Sequence, residues 1–291
     1  MTAATGLTAT IRTATEDDLR AIEAVLRANE EPPPGEPLYP PGAQDAYLGH
    51  LIRRGTTAVA EMDGAVVGFG ASVETGRSTH LADLFVLPAH HGRGLGGRLL
   101  GGVFGDRFPR TTFSSDDPRA IPLYVRAGMT PVWPSLYIAG DPQGLPADPD
   151  DIAVEDATLD DVARLESEWA GVDRSKDIVF WERHIDPRAV VVVRAGHPVA
   201  VGLGRGRLNG IGRWIDRAVV APGDEPVAPL VALLRRAADG GALIGASVAG
   251  PSPLLPVLLA AGFRIRDRDT FMTSDPQLID PARTLANTGI L

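Results

Sequence analysis

The sequence contains no cysteine among its 291 residues, and this absence removes several kinds of chemistry at once. Disulfide bridges, zinc sites with thiolate ligands and a cysteine nucleophile that would form a thioester are all excluded. A chain without disulfides is typical of a reducing compartment, so we expect a cytoplasmic protein.

The sequence also lacks a long apolar segment and an excess of basic residues. No stretch approaches the ~20 apolar residues of a membrane-spanning helix, and the N-terminus has neither the basic start nor the apolar core of a signal peptide. The 28 basic and 37 acidic side chains give a formal charge of -9. We therefore expect no membrane partner and no nucleic-acid partner. The acidic charge mildly favours a cationic substrate, although solubility is the simpler reason for it.

The length and an internal repeat predict two domains. A chain of 291 residues exceeds the usual single domain of ~100 to 200, and the Pro- and Asp-rich segment Asp141–Asp151 is typical of a linker. Asp156–Val162 resembles Thr13–Leu19 at an offset of 143 residues, and Val201–Gly204 resembles Val67–Gly70 at an offset of 134. We therefore predict domains at residues 1–140 and 151–291 that share one fold.

Several elements of the first half can be read from local patterns. Two apolar runs around Asp63-Gly64 predict a hairpin, and Pro118–Ala127 is predicted as a helix with proline in its first turn. The six prolines of Glu30–Pro41 predict a stiff, extended loop. The second half has nine fewer residues in the region of this loop, since the offset falls from 143 to 134.

The most informative stretch is a predicted strand, Leu81–Leu87, followed by a glycine-rich loop and a helix. Pro88 ends the strand, and Gly92, Gly94, Gly96 and Gly97 precede apolar residues at helical spacing. Such a loop can direct several backbone amides and the positive end of a helix dipole at a pyrophosphate. A connection without a ligand explains the four glycines less well, because glycine inside a helix costs about 1 kcal/mol.

Two other phosphate-binding motifs fit this stretch less well. A P-loop requires Lys and then Ser or Thr after its last glycine, but Arg98 and Leu99 follow Gly97. Gly92, Gly94 and Gly97 match the dinucleotide fingerprint, but four residues separate the strand from the first glycine. Dinucleotide binding is kept as a remote alternative.

The segment V-L-P-A-H-H-G-R-G-L-G, from Val86 to Gly96, resembles the acetyl-CoA loop of the GNAT acetyltransferase superfamily, with His91 in place of the family's Arg or Gln. The resemblance implies an α/β (α+β) fold of two tandem GNAT-like domains, each a mixed, mostly antiparallel sheet flanked by helices. It also implies acetyl-CoA as co-substrate. The residues implied to bind it are Phe85, Val86, Leu87, His91, Gly92, Arg93, Gly94, Leu95, Gly96, Gly97 and Ser115.

The same resemblance implies a catalytic tyrosine. Tyr124 lies in A-I-P-L-Y-V-R-A-G-M, which is similar to the GNAT segment whose tyrosine commonly protonates the departing thiolate. A tyrosine with a pKa of ~10 can protonate a thiolate whose acid has a pKa of ~8.5. A packed aromatic side chain is the alternative for Tyr124. Asp83 is a candidate base, and capping of backbone donors is an equally good explanation for it.

The second half lacks each of these features. At the 134-residue offset, Asp83 corresponds to Arg217 and Tyr124 to Leu258, and prolines replace two residues of the glycine loop. We therefore expect the second domain to be degenerate and unable to bind CoA. Glu30 and Glu31 precede the Pro-rich loop and are candidates to attract an amine, although acids at a helix end are commonly only solvated.

The sequence thus predicts an N-acetyltransferase that transfers acetyl from acetyl-CoA to a primary amine of a small molecule, or of a protein lysine, by direct attack. The alternative is a protein that binds or senses acyl-CoA without catalysis. Adjacent His90 and His91 cannot ligate one metal as histidines four apart on a helix can, so no metal is expected. We expect a monomer with an internal pseudo-dimer, or a homodimer.

Overall fold

The computed structural model describes residues 9–30, 39–207, 210–241 and 243–290. Within these residues, thirteen strands form one continuous sheet with helices packed against it. The strands and helices of the first half are β1 (Thr10–Thr13), α1 (Leu19–Arg27), α2 (Asp45–Arg54), β2 (Thr56–Met62), β3 (Ala65–Glu74), β4 (Thr79–Val86), α3 (Leu95–Phe104), β5 (Arg110–Ser114), α4 (Ala120–Arg126) and β6 (Thr130–Gly140).

The second half repeats this order. Its elements are β7 (Ile152–Asp156), α5 (Leu159–Ala170), α6 (Ile178–His184), β8 (Arg188–Arg194), β9 (His197–Gly206), β10 (Arg213–Val220), α7 (Val227–Ala237), β11 (Ile244–Ala249), α8 (Leu254–Ala260), β12 (Arg264–Thr273) and β13 (Thr284–Leu285). Only β4 with β5 and β10 with β11 are parallel neighbours among the pairs formed by the described residues. The mixed, mostly antiparallel sheet flanked by helices that we expected is confirmed.

The two faces of the sheet bury different helices, as the two-residue period of a strand requires. In β2, Ala58 and Ala60 pack into the core that contains the apolar face of α3. Val59, between them, packs with the buried residues of α1 and α2. The first half therefore has helices on both faces of the sheet. Residues of α3 and α4 pack into the same core, and both helices contribute to the site described below.

The predicted hairpin is confirmed: β2 and β3 pair antiparallel around Asp63-Gly64, whose φ angles of 53° and 76° suit a tight turn. The helix predicted from Pro118 begins instead at Ala120, because the carboxylate of Asp117 accepts from the Arg119 amide and holds the preceding residues in a turn. The predicted linker is not free of structure. Leu145 within it is buried in the core of the second half.

The two halves exchange their last strands. The order at the centre of the sheet is β5-β12-β6-β11, so β12 of the second half pairs with β5 of the first, and β6 pairs with β11. The two exchanged strands, β6 and β12, also pair with each other along most of their length. Each half therefore completes its sheet with a strand from the other. The limits 1–140 and 151–291 stay a prediction, because one sheet runs through both halves.

In the part of the chain that the structure describes, no helix is both long and apolar enough to cross a lipid bilayer.

Candidate active site

An opening between β4 and β5 forms the centre of the site. The two strands pair through only three residue pairs, which end at Leu81 and Thr112. Against β3, the register of β4 shifts between Leu81 and Asp83, so Ala82 is the extra residue of a bulge. A bulge bends the strand and increases its local twist. Beyond Leu81, no described strand pairs with the edge of β4 that faced β5, and Asp83 lies there.

The glycine loop begins directly after β4. Pro88–His90 form a 3-10 turn, and Gly92 and Gly94 adopt left-handed φ angles of 76° and 75° before α3 begins at Leu95. A Cβ atom added at either glycine would meet no atom within 4 Å. Glycine is therefore required there by the backbone conformation and not by crowding.

The loop presents unused backbone donors. Within the described residues, the amides of Gly92, Arg93 and Gly94 donate no hydrogen bond, and the first amides of α3 have no partner inside the helix. Gly92–Gly94 are also exposed. His91 differs, because its amide donates to the Pro88 carbonyl and its Nε2 lies 2.7 Å from the Val86 carbonyl oxygen. His91 thus holds the loop against the strand.

The other residues predicted to bind CoA lie at the end of β4, directly after β5 and at the start of α3. Phe85 and Val86 end β4, the Leu87 amide donates to the Val67 carbonyl, and Ser115 is exposed one residue after β5. Leu95 is buried in the core. A Cβ added at Gly96 would lie 3.3 Å from Leu123, so this glycine lets α3 approach α4 closely; Gly97 faces the same leucine at 3.7 Å.

Tyr124 lies on α4, and its side chain is buried within the core that α3 forms. Burial raises the pKa of Tyr124, and the negative charges of Asp269, Asp83 and Asp117 raise it further. No described residue forms a hydrogen bond with its hydroxyl group. The side chain therefore holds its proton at neutral pH.

Asp83 lies at the open edge of β4, where it accepts a hydrogen bond of 3.0 Å from the Tyr47 hydroxyl. Burial raises the pKa of Asp83 to about 6, although the bond from Tyr47 lowers it. Burial also raises the pKa of Glu30 to about 7, and the charge of Asp83 adds to this effect. The structure thus brings Glu30 close enough to Asp83 for their charges to interact. Glu31 lies outside the described residues.

Sequence reasoning missed several residues of this site. Tyr47 on α2 binds Asp83, and the Tyr39 hydroxyl donates to Glu30. Asp269 comes from β12 of the other half and accepts from the Tyr137 hydroxyl. None of these residues stands in a recognisable motif. Their roles follow from the strand exchange and from the packing of α2 against β3.

The second half differs from the first at the equivalent place in three ways. The β10 bulge falls at Asp216, 134 residues after Ala82, so Arg217 occupies the position of Asp83. Arg217 is buried and lies 3.1 Å from Glu166. Pro226 caps α7 in place of a left-handed glycine. Finally, β13 pairs with Ala218 and Val219, and thereby covers the edge that is open in β4.

Among the described residues, no group of three or more His, Asp or Glu side chains is arranged to hold a metal ion.

Comparison with known proteins finds one family model that matches part of the first half. Residues 53–129 match the model of the acetyltransferase (GNAT) domain. No curated protein sequence matches the chain. These residues include β4, the glycine loop, α3 and Tyr124, but not Glu30, Tyr39, Tyr47, Tyr137 or Asp269.

Solved structures with this fold cover nearly the whole chain. A Pyrococcus horikoshii protein assigned to the acetyltransferases has a TM-score of 0.72 at 15% identity, covering 97% of this chain and 94% of its own. A tandem GNAT protein from the clavulanic acid biosynthesis pathway has a TM-score of 0.61 at 18% identity, covering 94% and 100%. A GCN5-related N-acetyltransferase from Sphaerobacter thermophilus has a TM-score of 0.57 at 13% identity, covering 97% and 98%.

At these identities the similarity shows the fold alone, and the family model adds the domain. The GNAT fold supports acyl transfer in general. Residues 53–129 of this chain match the GNAT acetyltransferase domain, and the chain as a whole shares the fold of a tandem GNAT protein.

Proposed function

We propose that this protein is an N-acetyltransferase that transfers acetyl from acetyl-CoA to a primary amine of a small molecule by direct attack. The observation that carries the proposal is the arrangement at the open edge of β4. Two carboxyl groups with pKa values near neutrality, Asp83 and Glu30, lie there with the buried, neutral hydroxyl of Tyr124. The glycine loop adjoins them.

The loop has the properties of a pyrophosphate site. Its amides are unpaired within the described residues, they are exposed, and they precede the positive end of α3. The open edge of β4 then offers backbone groups to the pantetheine arm, and the acyl group follows the strand toward Asp83. Gly92–Gly97 would hold the pyrophosphate, and Phe85–Leu87 the arm.

The acidic pair has two tasks in this proposal. An alkylamine with a pKa of ~10.4 arrives as an ammonium ion, which two carboxylates attract. The ammonium must lose a proton before it can attack, and a carboxylate with a pKa of about 6 or 7 accepts that proton better than an ordinary carboxylate. Asp83 or Glu30 accepts it directly or through water.

The acyl transfer then balances as follows. The amine nitrogen forms a bond to the acetyl carbonyl carbon, the carbon–sulfur bond breaks, and the thiolate leaves with the electron pair. Tyr124 gives its hydroxyl proton to the thiolate and is reprotonated from solvent. Since its pKa is raised by burial, Tyr124 is fully protonated before each turnover.

The test is a panel of primary amines, with release of free thiol as the readout. We expect Tyr124→Phe to leave the acetyl-CoA Kd within twofold and to lower kcat roughly ten- to a thousandfold, because a general acid acts in the transition state. Arg235→Gln is the control, since its side chain bonds to Pro146 and Asp148 outside this opening, and it should leave both constants unchanged. Acetyl-CoA binding without turnover of any amine would instead favour an acyl-CoA sensor.

A further inference from the structure

The segment after β13 connects the two halves next to the opening at β4. β13 pairs with β10 of the second half, and the residues Asn287–Ile290, which we call the bridging segment, continue from it into the first half. There the segment contacts α2, β4 and β6 through Tyr47, His80 and Tyr137. The second half therefore reaches the side chains that surround Asp83.

Asn287 folds the bridging segment into a turn. Its Oδ1 accepts from the backbone amides of Gly289 and Ile290 at 2.6 and 2.8 Å. Its Nδ2 donates to Asp216 of β10. A side chain that bonds to the amides of the following residues fixes their backbone. The position of Gly289 is thus set by contacts within the second half.

Two buried side chains anchor the segment at its carbonyl groups. The Thr288 carbonyl oxygen can only accept, so His80 Nε2 donates to it at 3.1 Å, and His80 Nδ1 accepts from Thr111. Burial lowers the pKa of His80 to about 3, so this ring stays neutral at higher pH. The Arg174 guanidinium donates to the Ile290 carbonyl oxygen at 2.7 Å. The backbone between the two carbonyl groups is therefore held in place.

Gly289 lies against the hydroxyl group that bonds to Asp83. A Cβ atom added at Gly289 would lie 2.8 Å from the Tyr47 hydroxyl oxygen and 3.3 Å from Tyr47 Cζ. The same hydroxyl donates to Asp83 at 3.0 Å. Ile290 belongs to a core cluster against which Tyr47 and Ala82, the bulge residue of β4, pack. A larger residue at position 289 must therefore displace either this hydroxyl or an anchored backbone.

The hydrogen bond from Tyr47 affects the proton affinity of Asp83. Burial raises the pKa of Asp83 and this bond lowers it, so loss of the bond should raise the pKa further. Other charged and titratable groups around the bond come from four further elements, and they are Glu30 after α1, Tyr124 of α4, Arg205 of β9 and Asp216 of β10. The variants described below leave all four in place.

We propose that the bridging segment positions Tyr47 against Asp83, and that this positioning depends on Gly289. The second half thereby takes part in the chemistry at the open edge of β4. The inference rests on the proposed function only in its consequence for turnover, because the contacts among Gly289, Tyr47 and Asp83 can be tested without a substrate.

An NMR titration of the full chain with isotope-labelled aspartate carboxyl groups measures the proton affinity of Asp83, whose signal is the one absent from Asp83→Asn. We expect Gly289→Ala and Tyr47→Phe each to raise this affinity about tenfold, because both remove a hydrogen bond to the ionised carboxylate. Gly289→Ala should add little in a Tyr47→Phe protein, which lacks the atom that the new methyl group meets. Gly101→Ala is the matched control without effect, since a Cβ added at Gly101 meets no atom within 4 Å.

Turnover gives an independent measurement. With a cognate amine, Gly289→Ala should lower kcat/KM about fivefold at pH 6 but less than about twofold at pH 8.5, because only the ionised fraction of Asp83 changes. An equal loss at both pH values would show a merely structural effect and overturn the inference. If no amine is turned over, the proposed function fails, and the titration still decides the inference.

The titration can also refute the inference directly. It does so if Gly289→Ala leaves the proton affinity of Asp83 unchanged, or raises it as much in the Tyr47→Phe protein as in the wild type. Should Gly289→Ala not fold, Asn287→Ala, which releases the turn, gives the second measurement. It should raise the affinity in the wild-type background but not in the Tyr47→Phe background, and an unchanged affinity in both would equally overturn the positioning role.

Discussion

Asp83→Asn should make the protein more stable at neutral pH and at the same time inactive. The asparagine keeps an acceptor for the Tyr47 hydroxyl but cannot ionise, so the cost of a partly buried charge disappears. A residue retained only for packing or capping would behave in the opposite way, because its replacement would reduce stability. The variant therefore separates the proposed role of Asp83 from a structural one.

The size of the effect follows from the pKa of Asp83. Folding raises that pKa from 3.8 to about 6, so the folded protein holds the proton more tightly than the unfolded chain does. The folded protein therefore binds this proton about a hundredfold more tightly than the unfolded chain does. When Asp83 is ionised, this difference lowers the free energy of unfolding by roughly 3 kcal/mol. Partial exposure weakens this effect, and we expect a gain of about 1 to 3 kcal/mol in Asp83→Asn. The gain should be absent below about pH 3, where both states are protonated, and complete above about pH 7.

Urea unfolding at pH 4, 6 and 8 measures this difference, and thiol release with a cognate amine measures activity. Asp161→Asn is a useful control of opposite sign, since Thr158 lowers the pKa of the Asp161 carboxyl by hydrogen bonding. That carboxylate stabilises the protein above its unfolded pKa, so Asp161→Asn should lose stability at pH 8. If Asp83→Asn is also less stable than wild type at pH 8, or remains active, the reasoning about Asp83 is wrong.

Three further predictions test other parts of the molecule. Gly94→Pro should lower the affinity for acetyl-CoA at least a hundredfold by calorimetry, because proline has no backbone N–H and cannot adopt the left-handed conformation of Gly94. The control Ala228→Gly, in the second half, should leave one site per chain with unchanged affinity. Asp177→Asn should reduce the free energy of unfolding by about 3 kcal/mol in urea, since it removes the buried carboxylate that pairs with Arg54 of α2 and with Arg174; an unchanged midpoint would contradict this. The kcat/KM for an amine should fall as pH decreases from 7 to 5, because Asp83 and Glu30 become protonated, and a profile that is flat over this range would exclude both as bases.

The sequence by itself determined the features that depend on neighbouring residues. The β2–β3 hairpin around Asp63-Gly64 and the order strand, glycine-rich loop and helix around Gly92–Gly97 are set by local backbone preferences, and both appeared as predicted. The internal repeat also gave the correspondence of Asp83 with Arg217, because β4 and β10, with their bulges, keep the same 134-residue offset. Local patterns were less exact at element ends, as the late start of α4 shows.

Only the tertiary structure decided which strands complete each half. β6 and β12 occupy equivalent places in two copies of one fold, so no local preference distinguishes pairing within a half from the exchange that occurs. The exchange brings Asp269 near Tyr124, and packing brings Tyr47 to Asp83. The raised pKa values of Asp83 and Glu30 likewise depend on burial by residues distant in the chain. Burial and the distance between charges both depend on contacts between residues that are far apart in the sequence. Only the folded chain brings those residues together.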